Sequence, residues 1–359
     1  LNSAATERIA VLISGLKRAA GIIPLAVWSL FVAACSQEAA TPQAAEPVSE
    51  RVAALIEDAR EEGSVTVYSS LPVPIMNDVA AAFREKYGID IEIWRGGSEE
   101  ILQRAVAEAR AGRHMVDVVE SAAPEVEAIA REELLANVTS PVFAELMPGS
   151  YVEGRPWINS RLIVFVAAYN TNEIASTDAP TRFEDLLDAK WNGRLTVEAN
   201  DFGWLKGMAD ELGEEQALSL LRNIVTTNGV NVRDGHGLIT NMLASGEVPF
   251  TFTQYYEQAA HARDEGAPIE VAFLDPVIAL PTGLGIMRNA PHPDAAMLFM
   301  EFYLTDAQGI LARYDYIGSN VTRQVLPEGM NPVVVEMSDY LDEYEKWHNL
   351  HREIFAARR

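Results

Sequence analysis

Two lobes of α/β architecture, joined by a pair of long strands, are the fold class the sequence predicts. Three observations predict it. Short apolar strands alternate with amphipathic helices, and a strand, helix, strand unit fits in about 30 residues, which marks βαβ connectivity and a mainly parallel sheet. Two apolar runs, "RLIVFVAAYNT" at 161–171 and "VIALPTGLGIMR" at 277–288, are long for strands and suit segments that cross between lobes. The chain also has 359 residues, whereas single cores stop growing near ~250–300 residues.

The elements follow in order. Lys17 and Arg18 precede an uncharged stretch from Ala19 to Ala34, and then comes the only cysteine, Cys35. That stretch is shorter than the roughly 20 residues a spanning helix needs. A basic start, a short apolar core and small residues before a cut describe an export signal over residues 1–34. Residues 35–51 are polar and rich in Pro and Ala without hydrophobic periodicity, as a flexible tether would be. The folded body begins with "VAALIEDAREEG" and the strand "SVTVYSS". In "IMNDVAAAFREKYG", Met76, Val79, Ala80, Phe83 and Tyr87 recur at helical spacing and Gly88 fits the stop. "IDIEIW" reads as a second strand. "GGSEEILQRAVAEARAG" reads as a helix with Ser98 as N-cap and an acidic first turn. "VDVVES" and "PEVEAIAREELL" repeat the strand and helix pattern. Beyond the first long run, short α/β segments resume, and "DAAMLFMEFYLT" is an apolar helix. The C-terminal "MSDYLDEYEKWHNLHREIFAARR" reads as helices packed on the outside. The expected division is lobe 1 at 52–160 plus 284–318, lobe 2 at 161–283, and C-terminal helices at 319–359.

Composition narrows the function. With 28 Lys and Arg against 52 Asp and Glu, the formal charge is −24. Such an acidic body argues against nucleic acid or anionic lipid as the main partner. A single cysteine excludes a disulfide framework within the chain and a thiolate metal site. No G-x-S-x-G, H-E-x-x-H, Walker or dinucleotide fingerprint is present. Glu198 and Asp201 are paired acids of the kind that can do acid–base work, but no nucleophile with a partner accompanies them, so a binding protein is expected rather than an enzyme.

Four segments carry a resemblance: "VTVYSS", "FEDLLDAKWNGRLTVE", "SGEVPFTFTQYYEQAAHARDEG" and "APHPDAAMLFMEFYLTDAQGILA". In combination they resemble the solute-binding lipoproteins of bacterial ABC importers, in the branch that includes ferric-ion-binding proteins. The resemblance covers most of residues 60–325. It implies the type II periplasmic-binding-protein fold, two lobes on a two-strand hinge closing over a ligand. It also implies an exported receptor, anchored to a bacterial membrane through lipid alone and working as a monomer with a permease and an ATPase. "VAAC", Val32 to Cys35, resembles a lipobox, which would make Cys35 the lipidated first mature residue.

In ferric-binding members two adjacent tyrosines supply phenolate oxygens, a role that maps onto Tyr255 and Tyr256. Hard Fe³⁺ suits oxygen donors, and a trivalent cation stabilises phenolate against a free pKa near 10. This chain departs from the family at several points. Where members often place a histidine after the first strand, it has "SSLPVP", and Pro72 cannot ligate. Glu120 and Glu125 lie near the loop where some members carry a ligand. In the loop where some have a third tyrosine, Glu198 and Asp201 stand instead and are candidate ligands. The transported ligand implied is Fe³⁺, with a synergistic anion. The alternative is a small organic solute of polyamine-, thiamine- or phosphonate-like character.

Other residues carry two readings each. His236 precedes a helix in a loop that touches the anion in the family; it is an anion contact, a further metal ligand, or a solvent-facing loop residue. Ser69 and Ser70, ending the first strand, are candidate ligand contacts. Trp204 is a candidate contact for an organic ligand, or a packing residue along with Phe202. "WRGGSEE" is an anion-binding nest or a plain helix cap. Ser160 and Arg161 line the cleft or the surface.

Overall fold

The computed structural model describes residues 49–323, 326–337 and 339–355. The expected signal segment, Cys35 and nearly all of the tether lie outside these residues. The first half of the fold comprises α1 (Glu50–Glu62), β1 (Ser64–Ser69), α2 (Val73–Tyr87), β2 (Asp90–Arg95), α3 (Ser98–Arg110), β3 (Val118–Ala122) and α4 (Ala123–Arg131). The long strand β4 (Ile158–Asn170) follows, then β5 (Leu195–Glu198), α5 (Phe202–Leu212), α6 (Glu214–Asn228), β6 (Asn231–Arg233), α7 (His236–Ser245), β7 (Phe250–Tyr255) and α8 (Tyr256–Asp264). The chain continues through β8 (Ile269–Ala272), β9 (Val277–Ile286), α9 (Pro293–Tyr303), α10 (Asp306–Ala312), β10 (Ile317–Gly318), β11 (Pro332–Val334) and α11 (Tyr340–Phe355).

Local chemistry accounts for several boundaries. The Ser49 hydroxyl accepts from the Val52 N–H at the start of α1, so the helix begins within the stretch expected to be tether. Gly88 closes α2 in the left-handed conformation, φ 77°, and its N–H reaches the Arg84 carbonyl. At α3 the cap is Gly97 rather than Ser98, because the Glu100 carboxylate reaches back to the Gly97 N–H at 2.8 Å. That bond occupies a donor an anion would need, which matches the capping alternative for "WRGGSEE".

The strand order is β2-β1-β3-β9-β4-β7-β5-β6, with β8 and β10 on β4 and β11 on β9. Pairing is parallel between β1 and β2, β1 and β3, β5 and β6, and β5 and β7. It is antiparallel wherever β4 or β9 meets β3, β7 or β8, or the two meet each other. The expected mainly parallel sheet is therefore mixed. The reason is that the two long strands run between the halves against the direction of their neighbours. Ile158 to Val164 of β4 pair with β9, whereas Phe165 to Asn170 pair with β7 and β8.

One apolar cluster lies under α1, α2, α9 and α10, where Phe83 meets Tyr87, Phe299 and Phe302 at ring centroid distances of 5.1–5.8 Å. A second holds Trp191, Trp204, Phe250 and Phe252. Helix α5 lies directly on β9. A Cβ at Gly207 would come within 2.4 Å of Ile278 and 2.6 Å of Val335, so only glycine permits that approach. The C-terminal segment forms one helix rather than several, and it is more than an outer layer. Trp347, His351, Ile354 and Phe355 of α11 are buried. Its charged face pairs Asp342 with Arg131 of α4, Lys346 with Glu214, and Glu353 with Arg222. No helix among the described residues is long and apolar enough to cross a membrane.

Candidate metal centre

Parallel strands deliver ligand-binding groups at their carboxyl ends, and buried polar side chains collect there in both halves. In the first half, β1 ends at Ser69 and β3 carries Glu120, both buried. The Ser69 hydroxyl donates to Glu120 Oε2 at 2.7 Å, and Arg161 Nε of β4 donates to Glu120 Oε1 at 3.0 Å. Burial is the largest influence on the Arg161 charge and works against it, but Glu120 together with Tyr303, Tyr316 and Glu257 outweighs it and holds the guanidinium protonated above its ordinary range. The Ser70 N–H donates to the Glu120 carbonyl.

In the second half, four side chains converge from four elements. Glu198 ends β5, Asp201 caps α5, His236 opens α7, and Tyr255 ends β7. Potential ligand atoms of Glu198, Asp201 and His236 lie within 4.8 Å of one another, and all three residues are buried. Glu198 accepts the Gly235 N–H at 2.9 Å and the Asn200 N–H, which fixes its carboxylate. The Tyr255 ring stacks on His236 with centroids 3.6 Å apart and meets Phe165 edge-on at 5.4 Å.

Hydrogen bonding assigns the histidine tautomer. The Gln254 amide donates from Nε2 to the His236 carbonyl at 3.1 Å and to Thr240 Oγ1 at 2.9 Å. Its Oε1 accepts the Tyr255 N–H at 2.8 Å, so Oε1 is an acceptor. His236 Nδ1, at 3.0 Å from that oxygen, must then be the donor. The Nε2 lone pair of neutral His236 consequently faces Asp201 Oδ1 at 3.1 Å. Two acceptors face each other there, which a proton or a cation between them resolves. Asp201 Oδ2 is buried with no hydrogen-bond partner.

The electrostatics follow. Burial raises the Glu198 pKa, the Asp201 charge adds to it, and the Gly235 and Asn200 N–H groups offset part. Burial is the largest influence on the His236 pKa and lowers it, but Asp201 together with Glu198 and Glu257 outweighs it, so the net shift is upward. Tyr255 is held well above the ordinary phenol range by burial first, then by Asp201, Glu257 and Glu198.

Among the expected site residues, the structure brings together Tyr255, Glu198, Asp201 and His236. His236 is neither a solvent-facing loop residue nor placed by the helix start alone; Gln254 and Asp201 hold its ring between them. Tyr256 is not in this group. It packs among Leu162, Val164 and Val277, with Phe273 at 6.4 Å, and its charged neighbours are Asp315, Arg263 and Asp264. Tyr255 keeps extended angles, φ −74° and ψ 128°, so the alternation of a strand persists across the pair and the two rings diverge. Trp204 is 1% exposed, packed on Phe183 and Phe252, and faces no cleft. Ser69 and Ser70 belong to the Glu120 group. Gln254, Glu257 and the Glu120–Arg161 pair entered only with the structure. The signal for Gln254 was its place as an uncharged amide inside the apolar strand "FTFTQY".

Two α/β halves sharing crossing strands, with polar groups gathered at strand ends between them, define a solute-binding protein of the type II periplasmic class. The chain belongs to the bacterial extracellular solute-binding protein family, whose model matches residues 78–328. It is 23% identical over 278 residues to iron uptake protein A1 of Synechocystis sp., covering 71% of this chain and 75% of that protein. A Trichodesmium protein (IdiA, FutA), solved in complex with iron and citrate, shares the fold with a TM-score of 0.69 at 17% identity, over 81% of this chain and 99% of that one. AfuA from Actinobacillus pleuropneumoniae, solved with fructose-6-phosphate, gives 0.66 at 19% identity, over 82% and 99%.

Proposed function

We propose that this protein is an extracytoplasmic receptor that captures iron in the cleft between its lobes and delivers it to an ABC importer. The observation that carries this reading is the convergence of the buried Glu198, Asp201 and His236 with the half-buried Tyr255 ring. The name of the Synechocystis relative and the iron and citrate of the Trichodesmium structure support it. Ferric iron is the cargo proposed, with Tyr255 as phenolate, Glu198 and Asp201 as carboxylates and a synergistic anion completing the shell. A bound cation reverses the pull of the acids on the Tyr255 proton, because its own charge is the largest in the site. The lobes proposed are 52–160 plus 284–318 and 161–283; β4 exchanges β9 for β7 between Val164 and Phe165, a few residues past the start of the second lobe. An organic solute is the competing cargo, but Trp204 in the core offers it no stacking face.

The test is metal analysis and a visible spectrum of protein purified without chelator. Bound iron with a charge-transfer band that Tyr255→Phe removes is the expected result. Metal-free protein that refuses ferric citrate, and shifts its melting temperature with an organic solute instead, overturns the reading. We also propose that Cys35 is the lipidated mature N-terminus, on the strength of "VAAC". Cys35→Ser should release the protein from membranes, and a native N-terminus at any other residue refutes this.

A further inference from the structure

We infer that Glu198, Asp201 and His236 form a self-sufficient site for a divalent first-row transition ion, one that loads without any tyrosinate. The inference rests on reading this cluster as the metal centre and adds the ion class that its donors select.

Four observations converge on it. The donor set is one imidazole nitrogen and two carboxylates, and imidazole suits Zn, Fe, Ni and Cu while carboxylate suits Mn as well. Charge balances too: two carboxylates offset a divalent ion, whereas a trivalent ion keeps an excess positive charge unless another group ionises. The nearest such group is Tyr255, and Tyr256, which would supply a second phenolate, lies in the apolar cluster. The histidine is also organised as metal-binding histidines are, with its far nitrogen donating to a fixed acceptor so that the other lone pair points inward. Here Nδ1 donates to Gln254 Oε1, and Gln254 is itself locked by three further bonds to the His236 carbonyl, Thr240 and the Tyr255 N–H. Finally, Asp201 Oδ2 is buried without a partner beside the Nε2–Oδ1 contact. A buried carboxylate oxygen left unpaired carries its full desolvation penalty, and a cation at this point satisfies it together with both facing acceptors.

All three donors come from β5, the start of α5 and the start of α7, which one half of the fold holds together. Loading therefore needs no ligand from the Glu120 side.

The experiment is calorimetric titration of chelator-treated protein with Mn²⁺, Zn²⁺ and, separately, ferric citrate. The expected result is one equivalent of each divalent ion, with Zn²⁺ tighter than Mn²⁺ as the usual affinity order requires. His236→Ala and Asp201→Asn should each weaken divalent binding at least about tenfold, and Gln254→Leu about 10–100-fold through the lost orientation of His236. Tyr255→Phe should leave Mn²⁺ and Zn²⁺ binding within about twofold. Asp201→Asn keeps side-chain shape, so circular dichroism and melting curves matching wild type separate lost ligation from misfolding. Ferric binding without divalent binding overturns this inference and leaves the iron receptor standing. Divalent binding that survives both His236→Ala and Asp201→Asn also overturns it, as does loss with Tyr255→Phe. Failure of all three titrants overturns both readings.

Discussion

His351 gives the protein a calculable sensitivity to acid. Its ring sits in α11 at 1% exposure, between Phe202 at 5.3 Å and Phe355 at 4.7 Å, and its Nε2 has no hydrogen-bond partner. Burial pushes its pKa down to about 4, with His348 adding to the shift and Asp201 opposing it. In the unfolded chain a histidine titrates near 6.5. Between these values the unfolded state binds a proton that the folded state refuses, so stability falls as pH falls. The contribution is complete above about pH 6.5 and lost by about pH 4. A gap of roughly 2.5 units at 1.36 kcal/mol per unit amounts to about 3 kcal/mol. His351→Leu, of closely similar volume, removes the proton site and the unpaired nitrogen together. At pH 7 the variant should equal or exceed wild type, since an unsatisfied buried polar atom costs about 1–3 kcal/mol. On acidification its advantage should widen by about 3 kcal/mol. The assay is urea unfolding followed by circular dichroism, in chelator, from pH 7 to pH 4. Parallel stability curves for the two proteins across that window would refute the argument, because they would mean that His351 protonates equally in both states.

Two further outcomes test the placement of residues. Tyr255→Phe should remove the iron charge-transfer band and weaken ferric binding at least about tenfold, while Tyr256→Phe should keep the colour and change stability by no more than about 0.5–1.5 kcal/mol; the reverse pattern, read by absorbance and titration, would place the wrong ring at the metal. Gly207→Ala should destabilise by about 1–3 kcal/mol, because its methyl meets Ile278 and Val335 at 2.4 and 2.6 Å, and an unchanged urea midpoint would show that α5 does not press on β9 as described.

What the sequence determined by itself was whatever depends on neighbours along the chain. The helical spacing of Met76, Val79, Phe83 and Tyr87 gave α2 its buried face, and Gly88 its end. The apolar runs at 161–171 and 277–288 marked β4 and β9 within a few residues at each end. Periodicity and turn chemistry act over a few residues, so they survive in one dimension. Tyr255, Glu198, Asp201 and His236 could be nominated because the resemblance to ferric-binding proteins mapped them onto ligand and anion-contact positions, on segments whose strands and helices were legible. Their geometry could not be derived, because it rests on contacts between distant segments. Gln254 fixes His236 across 18 positions, Asp201 meets it across 35, and Thr253 accepts the Glu198 N–H across 55. The divergence of Tyr255 and Tyr256 turned on one residue's backbone angles at the junction of β7 and α8. Trp204 went to the core because Phe183 and Phe252 fold around it. Likewise the mixed sheet arose only when β4 and β9 chose their partners. Tertiary structure decided these points because a side chain's surroundings are set by the register and docking of whole elements, and short stretches of sequence carry no record of either.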